Sequence, residues 1–261
     1  MRHLRLIGVC LAALFALGAV AANAASATEP ALYECAKVTK ANKGKGIWNK
    51  GCKVEGKHGL GENEYEIQEW NLTSKKGKVK PFKGKGGLAN LEATGVGVVT
   101  CAKSASEGKF SGPKSAAGIK VTFTGCSFQG IKCENTATAG EIKPVTLAGT
   151  VGYINKEKHE VGVDIFPETG TVDAEFHCET HNFIVEGSVI GQVTSPLNKF
   201  TKEANLNFET SSEKQVPEKL EGFPIDTLTT GVCGGCVPHA EAPAGESTRV
   251  SGKGEELELK A

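Results

Sequence analysis

The chain has 261 residues, 30 basic and 30 acidic side chains in formal balance, and 39% hydrophobic residues. Beyond residue 24 the positive charge is almost all lysine, Arg249 being the one arginine, and aspartate occurs only at Asp164, Asp173 and Asp226. Arginine forks are the usual bidentate grip on phosphate and calcium loops use several aspartates, so the composition argues against a nucleotide or nucleic-acid partner and against an EF-hand type site.

Residues 1–24 read as a secretory signal peptide. Arg2, His3 and Arg5 form a basic head, Leu6 to Val20 is almost wholly apolar, and Ala22-Asn23-Ala24 offers a cleavage site. The apolar run is short for spanning a bilayer about 30 Å thick, and no later stretch is apolar enough to span. The expectation is a chain released or held at the cell surface, with no membrane span after cleavage. Cys10 leaves with the leader, and eight cysteines remain. An even set outside the cytoplasm reads as a disulfide framework.

Residues 25–86 read as a loop-heavy N-terminal elaboration rich in lysine and glycine. From Lys37 to Gly86 there are 13 lysines against 5 glutamates, whereas from Gly87 onward 15 basic residues face 23 acidic ones. The two halves therefore carry about +8 and −8, which either dock on each other or leave a basic patch for an anionic envelope polymer. Trp48, Tyr65 and Trp70 lie among these lysines and are candidates for stacking on sugar rings, or for local packing.

Residues 87–261 read as the main β domain, because apolar positions recur with period two. Ile119, Val121 and Phe123 alternate with Lys120, Thr122 and Thr124. Leu147, Val151 and Tyr153 follow, then Val161, Val163 and Ile165. Phe183, Val185, Val189 and Val193 suggest one long strand bent at Gly187 and Gly191. Ala204, Leu206 and Phe208 give another, and Leu257 with Leu259 the last. Breaks such as Ser111-Gly112-Pro113, Pro167-Glu168-Thr169-Gly170 and Ser195-Pro196 separate them. No helical stripe appears. The expected fold is all-β, a disulfide-stapled β-sandwich or flattened barrel of short antiparallel strands.

Spacing suggests how the cysteines pair. Cys35 and Cys52 bracket a Lys/Gly-rich loop; Cys126 and Cys133 enclose a hairpin-sized turn; Cys233 and Cys236 flank Gly234-Gly235. Elimination leaves Cys101 with Cys178.

Several strings carry a resemblance. Val98-Val99-Thr100-Cys101-Ala102-Lys103-Ser104, Val121-Thr122-Phe123-Thr124-Gly125-Cys126 and Leu147-Ala148-Gly149-Thr150-Val151-Gly152-Tyr153, with Leu32-Tyr33-Glu34-Cys35 and Phe176-His177-Cys178, resemble a family of uncharacterised secreted proteins of actinobacteria. The resemblance covers most of the chain after the leader. It implies secretion and an all-β fold and supplies no catalytic residue; Cys233-Gly234-Gly235-Cys236 lies outside it.

Motifs for chemistry are weak. Cys233-x-x-Cys236 lacks the helical context of a redox pair. With His239 it offers a zinc-like triplet, and His177-Cys178-x-x-His181 offers further ligands, but zinc thiolates are less expected in an oxidising compartment. His177 and His181, four apart on one strand, would share a wet face. Ser111-x-x-Lys114 and Ser211-x-x-Lys214 match S-x-x-K without its companion motifs, and Gly187-Ser188 lacks a nucleophile elbow. No catalytic residue and no cofactor emerge. The expectation is a binding or structural module whose partner is an anionic envelope polymer, a glycan or a second copy of itself. The alternative is a secreted hydrolase working through glutamate carboxylates.

Overall fold

The computed structural model describes residues 30–38, 48–53, 65–70, 79–93, 95–233, 237–252 and 256–261. The leader reading and parts of the Lys/Gly-rich segment fall outside them. The regular elements among the described residues are all strands. In chain order they are β1 (Ala31–Lys37), β2 (Tyr65–Glu69), β3 (Lys80–Gly86), β4 (Ala89–Ala93), β5 (Gly97–Cys101), β6 (Lys103–Gly112), β7 (Ser115–Thr124) and β8 (Ser127–Phe128). Next come β9 (Ile131–Lys132), β10 (Glu141–Ile142), β11 (Leu147–Asn155), β12 (Glu160–Pro167), β13 (Val172–Cys178), β14 (His181–Glu186), β15 (Val189–Val193) and β16 (Glu203–Ser211). The series ends with β17 (Lys214–Val216), β18 (Lys219–Leu220), β19 (Phe223–Pro224), β20 (Thr229–Cys233), β21 (Val237–Glu241), β22 (Ala244–Gly252) and β23 (Leu257–Lys260).

Eight of these close a barrel. Its wall runs β16, β15, β12, β11, β7, β6, β3, β22, and β22 pairs back onto β16 from Glu203↔Ser251 to Phe208↔Glu246. Every neighbouring pair is antiparallel. Closure removes the free edges that an open sheet of this size would expose. Period two decides what faces inward: Phe82, Val121, Val163, Leu206 and Val250 line the inside, whereas Lys83, Lys85, Lys109, Lys120 and Arg249 are exposed on the outside. A charged outside and an apolar inside is the inverse of a membrane barrel.

β3 is a barrel strand although it belongs to the Lys/Gly-rich segment, so the boundary at 86/87 runs within the barrel wall. Phe82 is its one large apolar residue, and inward positions 84 and 86 are glycine. The strand therefore presents almost no hydrophobic pattern, yet it is held on both sides, by β6 and β22.

A small sandwich caps one end. β4, β5, β8 and β9 form one face and β13, β14, β20 and β21 the other. Between them lies the largest core, with Val99, Phe128, Phe176, Phe183 and Val232 all buried. Phe176 and Phe183 stack with ring centroids 5.0 Å apart, and Phe128 meets Phe183 edge-on. Phe123 and Val189 of the barrel pack against the same core. The opposite end is covered by β2, β1 and β23. Both expected architectures are therefore present, a barrel and a sandwich.

The apolar positions 183 to 193 do not form one strand. At Gly187 the backbone has φ of +111°, and a Cβ there would lie 2.8 Å from the Asp226 carbonyl oxygen. The chain breaks at this glycine and passes from the cap (β14) into the barrel (β15).

Cys35 bonds Cys52, as spacing suggested, but the other two described bridges are Cys101–Cys126 and Cys133–Cys178. The expected Cys126–Cys133 and Cys101–Cys178 pairs are thus corrected, and register explains why. The β6–β7 hairpin sets Lys103 opposite Thr124, which brings Cys101 and Cys126 face to face with Cα atoms 3.9 Å apart. Glu134 and His177 exchange two backbone hydrogen bonds, so the adjacent positions Cys133 and Cys178 form a close, non-hydrogen-bonded pair at 4.2 Å. Cys126 and Cys133 do face each other across the β8–β9 hairpin, but Cys133 N–H donates to the Cys126 carbonyl. Antiparallel partners that share such a bond sit wider apart, and their side chains find other partners.

Candidate ligand cavity

The barrel interior is not filled. A cavity of about 310 Å³ runs along it, lined mainly by Phe82, Ile119, Val121, Leu147, Val151, Val163, Ile165, Leu206 and Val250. An eight-stranded barrel is at the size where the interior is either packed by side chains or holds one small ligand. Here Gly149 on β11 and Gly191 on β15, with β12 between them, and Gly84 and Gly86 on β3 put no side chain of their own into the lumen.

Polarity is unevenly distributed along the cavity. At the cap end, Glu246 of β22 and Ser104 and Ser106 of β6 converge on β3 at its two glycines, with Thr248 beside them. The Ser104 hydroxyl donates to Glu246 Oε1. A Cβ at position 86 would fall on that carboxylate and that hydroxyl, and one at position 84 on the Ser106 hydroxyl. The two glycines are therefore what makes space for this polar patch. Asp173 reaches the cavity from β13, in the cap.

Burial raises both carboxyls above the usual range. For Glu246 it outweighs the hydrogen bonds from Ser104 and Thr248, which pull the other way. For Asp173 burial alone moves the group to about 6. At the opposite end Lys80 lines the wall, and its ammonium lies 3.1 Å from the fully buried Glu34 carboxylate. Gln68 Nε2 donates to the other Glu34 oxygen at 3.3 Å. Lys202 and Glu203, at the start of β16, also belong to that end.

The residues singled out from sequence lie elsewhere. Trp70 is only 2% exposed and meets Phe110 edge-on at 6.4 Å, so it packs under the barrel end and presents no open face. Trp48 and Tyr65 are brought together by a two-bond backbone bridge and are half-buried. His177 and His181 do not share a face, because a turn separates β13 from β14: His181 stands opposite Cys178, and His177 opposite Asn182. His177 is exposed and lies 3.8 Å from Glu134, whereas the His181 ring packs on Phe128. Both S-x-x-K strings are hairpin ends, with Gly112 opposite Ser115 and Ser211 opposite Lys214.

Cys236 lies outside the described residues, and with it the Cys233–Cys236 pairing and the Cys233, Cys236, His239 triplet. Among the described residues no three His, Cys, Asp or Glu side chains gather as metal ligands. Nor, among them, is any helix long and apolar enough to cross a membrane. Among the described residues, the ion pairs Lys53–Glu256 and Lys83–Glu107 join the basic segment to the acidic remainder, both on the surface.

Fold and cavity together define a closed eight-stranded antiparallel barrel with an apolar lumen, covered at one end by a disulfide-stapled sandwich. No protein-family model, curated protein or solved structure matches the chain.

Proposed function

We propose that this protein is a binding module that encloses one small apolar molecule in its barrel. The lumen carries the reading: an unfilled space of about 310 Å³ with apolar walls is the size and character of a small-molecule site. Secretion belongs to the same proposal. It is supported by the basic head, apolar run and A-x-A site of the leader, by the resemblance to a secreted family, and by three disulfides, which persist in oxidising compartments. The hydrolase reading needs two carboxyls in opposed environments, whereas the two perturbed carboxyls on the cavity wall are both pushed upward by burial. That favours binding over hydrolysis. Titration with the apolar fluorophore N-phenylnaphthylamine tests the proposal. One saturable site per chain that salt does not weaken is expected; no saturable uptake refutes it.

A second reading rests on the outer wall. Lys83, Lys85, Lys103, Lys109, Lys120 and Arg249 are all exposed on β3, β6, β7 and β22, with Glu107 and Glu203 as the acidic side chains among them. Such a face suits an anionic envelope polymer or an acidic glycan. Retention on isolated cell wall at low salt and release at high salt is the expected behaviour, and retention indifferent to salt would count against it.

A further inference from the structure

Resting on the cavity reading above, we propose that the occupant is an amphiphile with a protonated amine at one end, its amine lodged beneath the cap against Glu246 and Ser104 and its hydrocarbon tail running toward Phe82. The cavity itself is apolar and would accept any tail. What selects the head is the order of charge along it. Of the charged side chains lining the wall, Glu246 and Asp173 occupy the cap end, while Lys80, Lys202 and Glu203 occupy the other.

Lys80 is already committed to Glu34. Beneath the cap a carboxylate-headed amphiphile finds no lysine or arginine on the cavity wall and meets the Glu246 carboxyl. An ammonium brings three donors and a charge into a place where the protein offers acceptors: the Glu246 carboxylate and the Ser104 and Ser106 hydroxyls. The glycines opposite this patch keep it open, because any side chain at position 86 would cover the Glu246 oxygen. Burial pushes Glu246 toward the neutral form, and a bound ammonium reverses that, so uptake of the amine expels protons and strengthens as pH rises.

Isothermal titration of the full chain with decylamine, decanol and decanoate separates the head from the tail. Decylamine is expected to bind at least about tenfold more tightly than decanol, a charge-assisted hydrogen bond being worth that factor or more, and decanoate most weakly. Decylamine affinity should rise with pH, with proton release seen as a dependence on buffer ionisation enthalpy. Glu246→Gln should lower decylamine affinity about tenfold to hundredfold while leaving decanol within a factor of about three, which also reports that the variant is folded. Ser104→Ala should weaken the amine less and in the same direction. Equal binding of amine and alcohol, or a decylamine-to-decanol ratio unchanged by Glu246→Gln, overturns the head assignment and leaves the apolar cavity standing. Binding of none of the three overturns the cavity reading itself.

Discussion

Ala204 offers a direct way to fill the lumen. It lies on β16, faces inward with Leu206 and Phe208, lines the cavity and is only partly buried. Empty apolar space forfeits contact energy at about 24 cal/mol per Å³, so the 310 Å³ lumen corresponds on that scale to about 7 kcal/mol of unrealised packing. A phenyl ring at this position would occupy roughly a third of the space, so Ala204→Phe should stabilise the empty protein by about 2 kcal/mol. For a chain of this size that is a rise of roughly 4–8 °C in Tm. The same ring removes the volume a ligand needs, so N-phenylnaphthylamine and decylamine binding should fall at least about tenfold. Ala105→Phe is the control: Ala105 is exposed on the outer face of β6, and its substitution should change neither binding nor Tm appreciably. Thermal melts and titrations on both variants decide the matter. A destabilised Ala204→Phe whose probe binding is intact would refute the reasoning, because the ring would then have met a packed wall.

Further expectations follow from single sites. Asp173 is held protonated up to about 6 in the folded state, so stability should fall as pH rises from about 4 through about 6, the unfolded chain ionising first. Asp173→Asn should remove that slope and leave the protein up to about 3 kcal/mol more stable at neutral pH, with no difference at low pH; urea melts across this range check it, and an unchanged slope would sink it. Non-reducing peptide mapping should recover Cys101–Cys126 and Cys133–Cys178, with no Cys126–Cys133 peptide. Replacing Cys133 and Cys178 together by serine opens a loop with a sequence separation of 45, for an expected loss of about 4 kcal/mol in chemical denaturation. Gly187→Ala puts a Cβ against the Asp226 and Thr227 carbonyls at a positive φ, and should cost at least about 1–3 kcal/mol.

The strand alternation was legible in the sequence wherever one face is apolar and the other wet, as on β7, β12 and β16. It failed at β3, because a strand whose inward positions are Phe82, Gly84 and Gly86 and whose outward ones are lysines looks like a loop until its neighbours are known. Barrel closure was not legible either, since the β16–β22 pairing depends on two segments about 40 residues apart whose own patterns say nothing of each other. The cysteine pairing was closer to hand. A hairpin turning at Pro113-Lys114 places residue 101 opposite 126 by counting alone. Choosing the nearest cysteines instead ignored that facing strands alternate between hydrogen-bonded and close pairs. The cavity could not be read at all, because Val121, Val163 and Leu206 look the same in a packed barrel as in an empty one. The one hint was glycine at inward positions of several strands, which periodicity alone does not separate from turn glycines.

An unfilled lumen and a set of disulfides are connected by the size of the terms involved. On the chain-entropy scale the three described bridges, with sequence separations of 17, 25 and 45, together stabilise the fold by about 10 kcal/mol. That is of the same order as the roughly 7 kcal/mol of packing the lumen leaves unrealised. The cross-links thus offset the emptiness that a binding site requires, and they do so where it matters. Two of them lie in the cap core, next to the strands that carry Ser104, Glu246 and Asp173. The polar end of the cavity is thereby fixed to the part of the molecule least able to relax, so its acceptors stay in place whether or not the lumen is occupied. Reduction and emptiness should accordingly compound each other. The reduced, unoccupied protein should be the least stable of the four states, and a bound amine should restore part of what the lost bridges supplied.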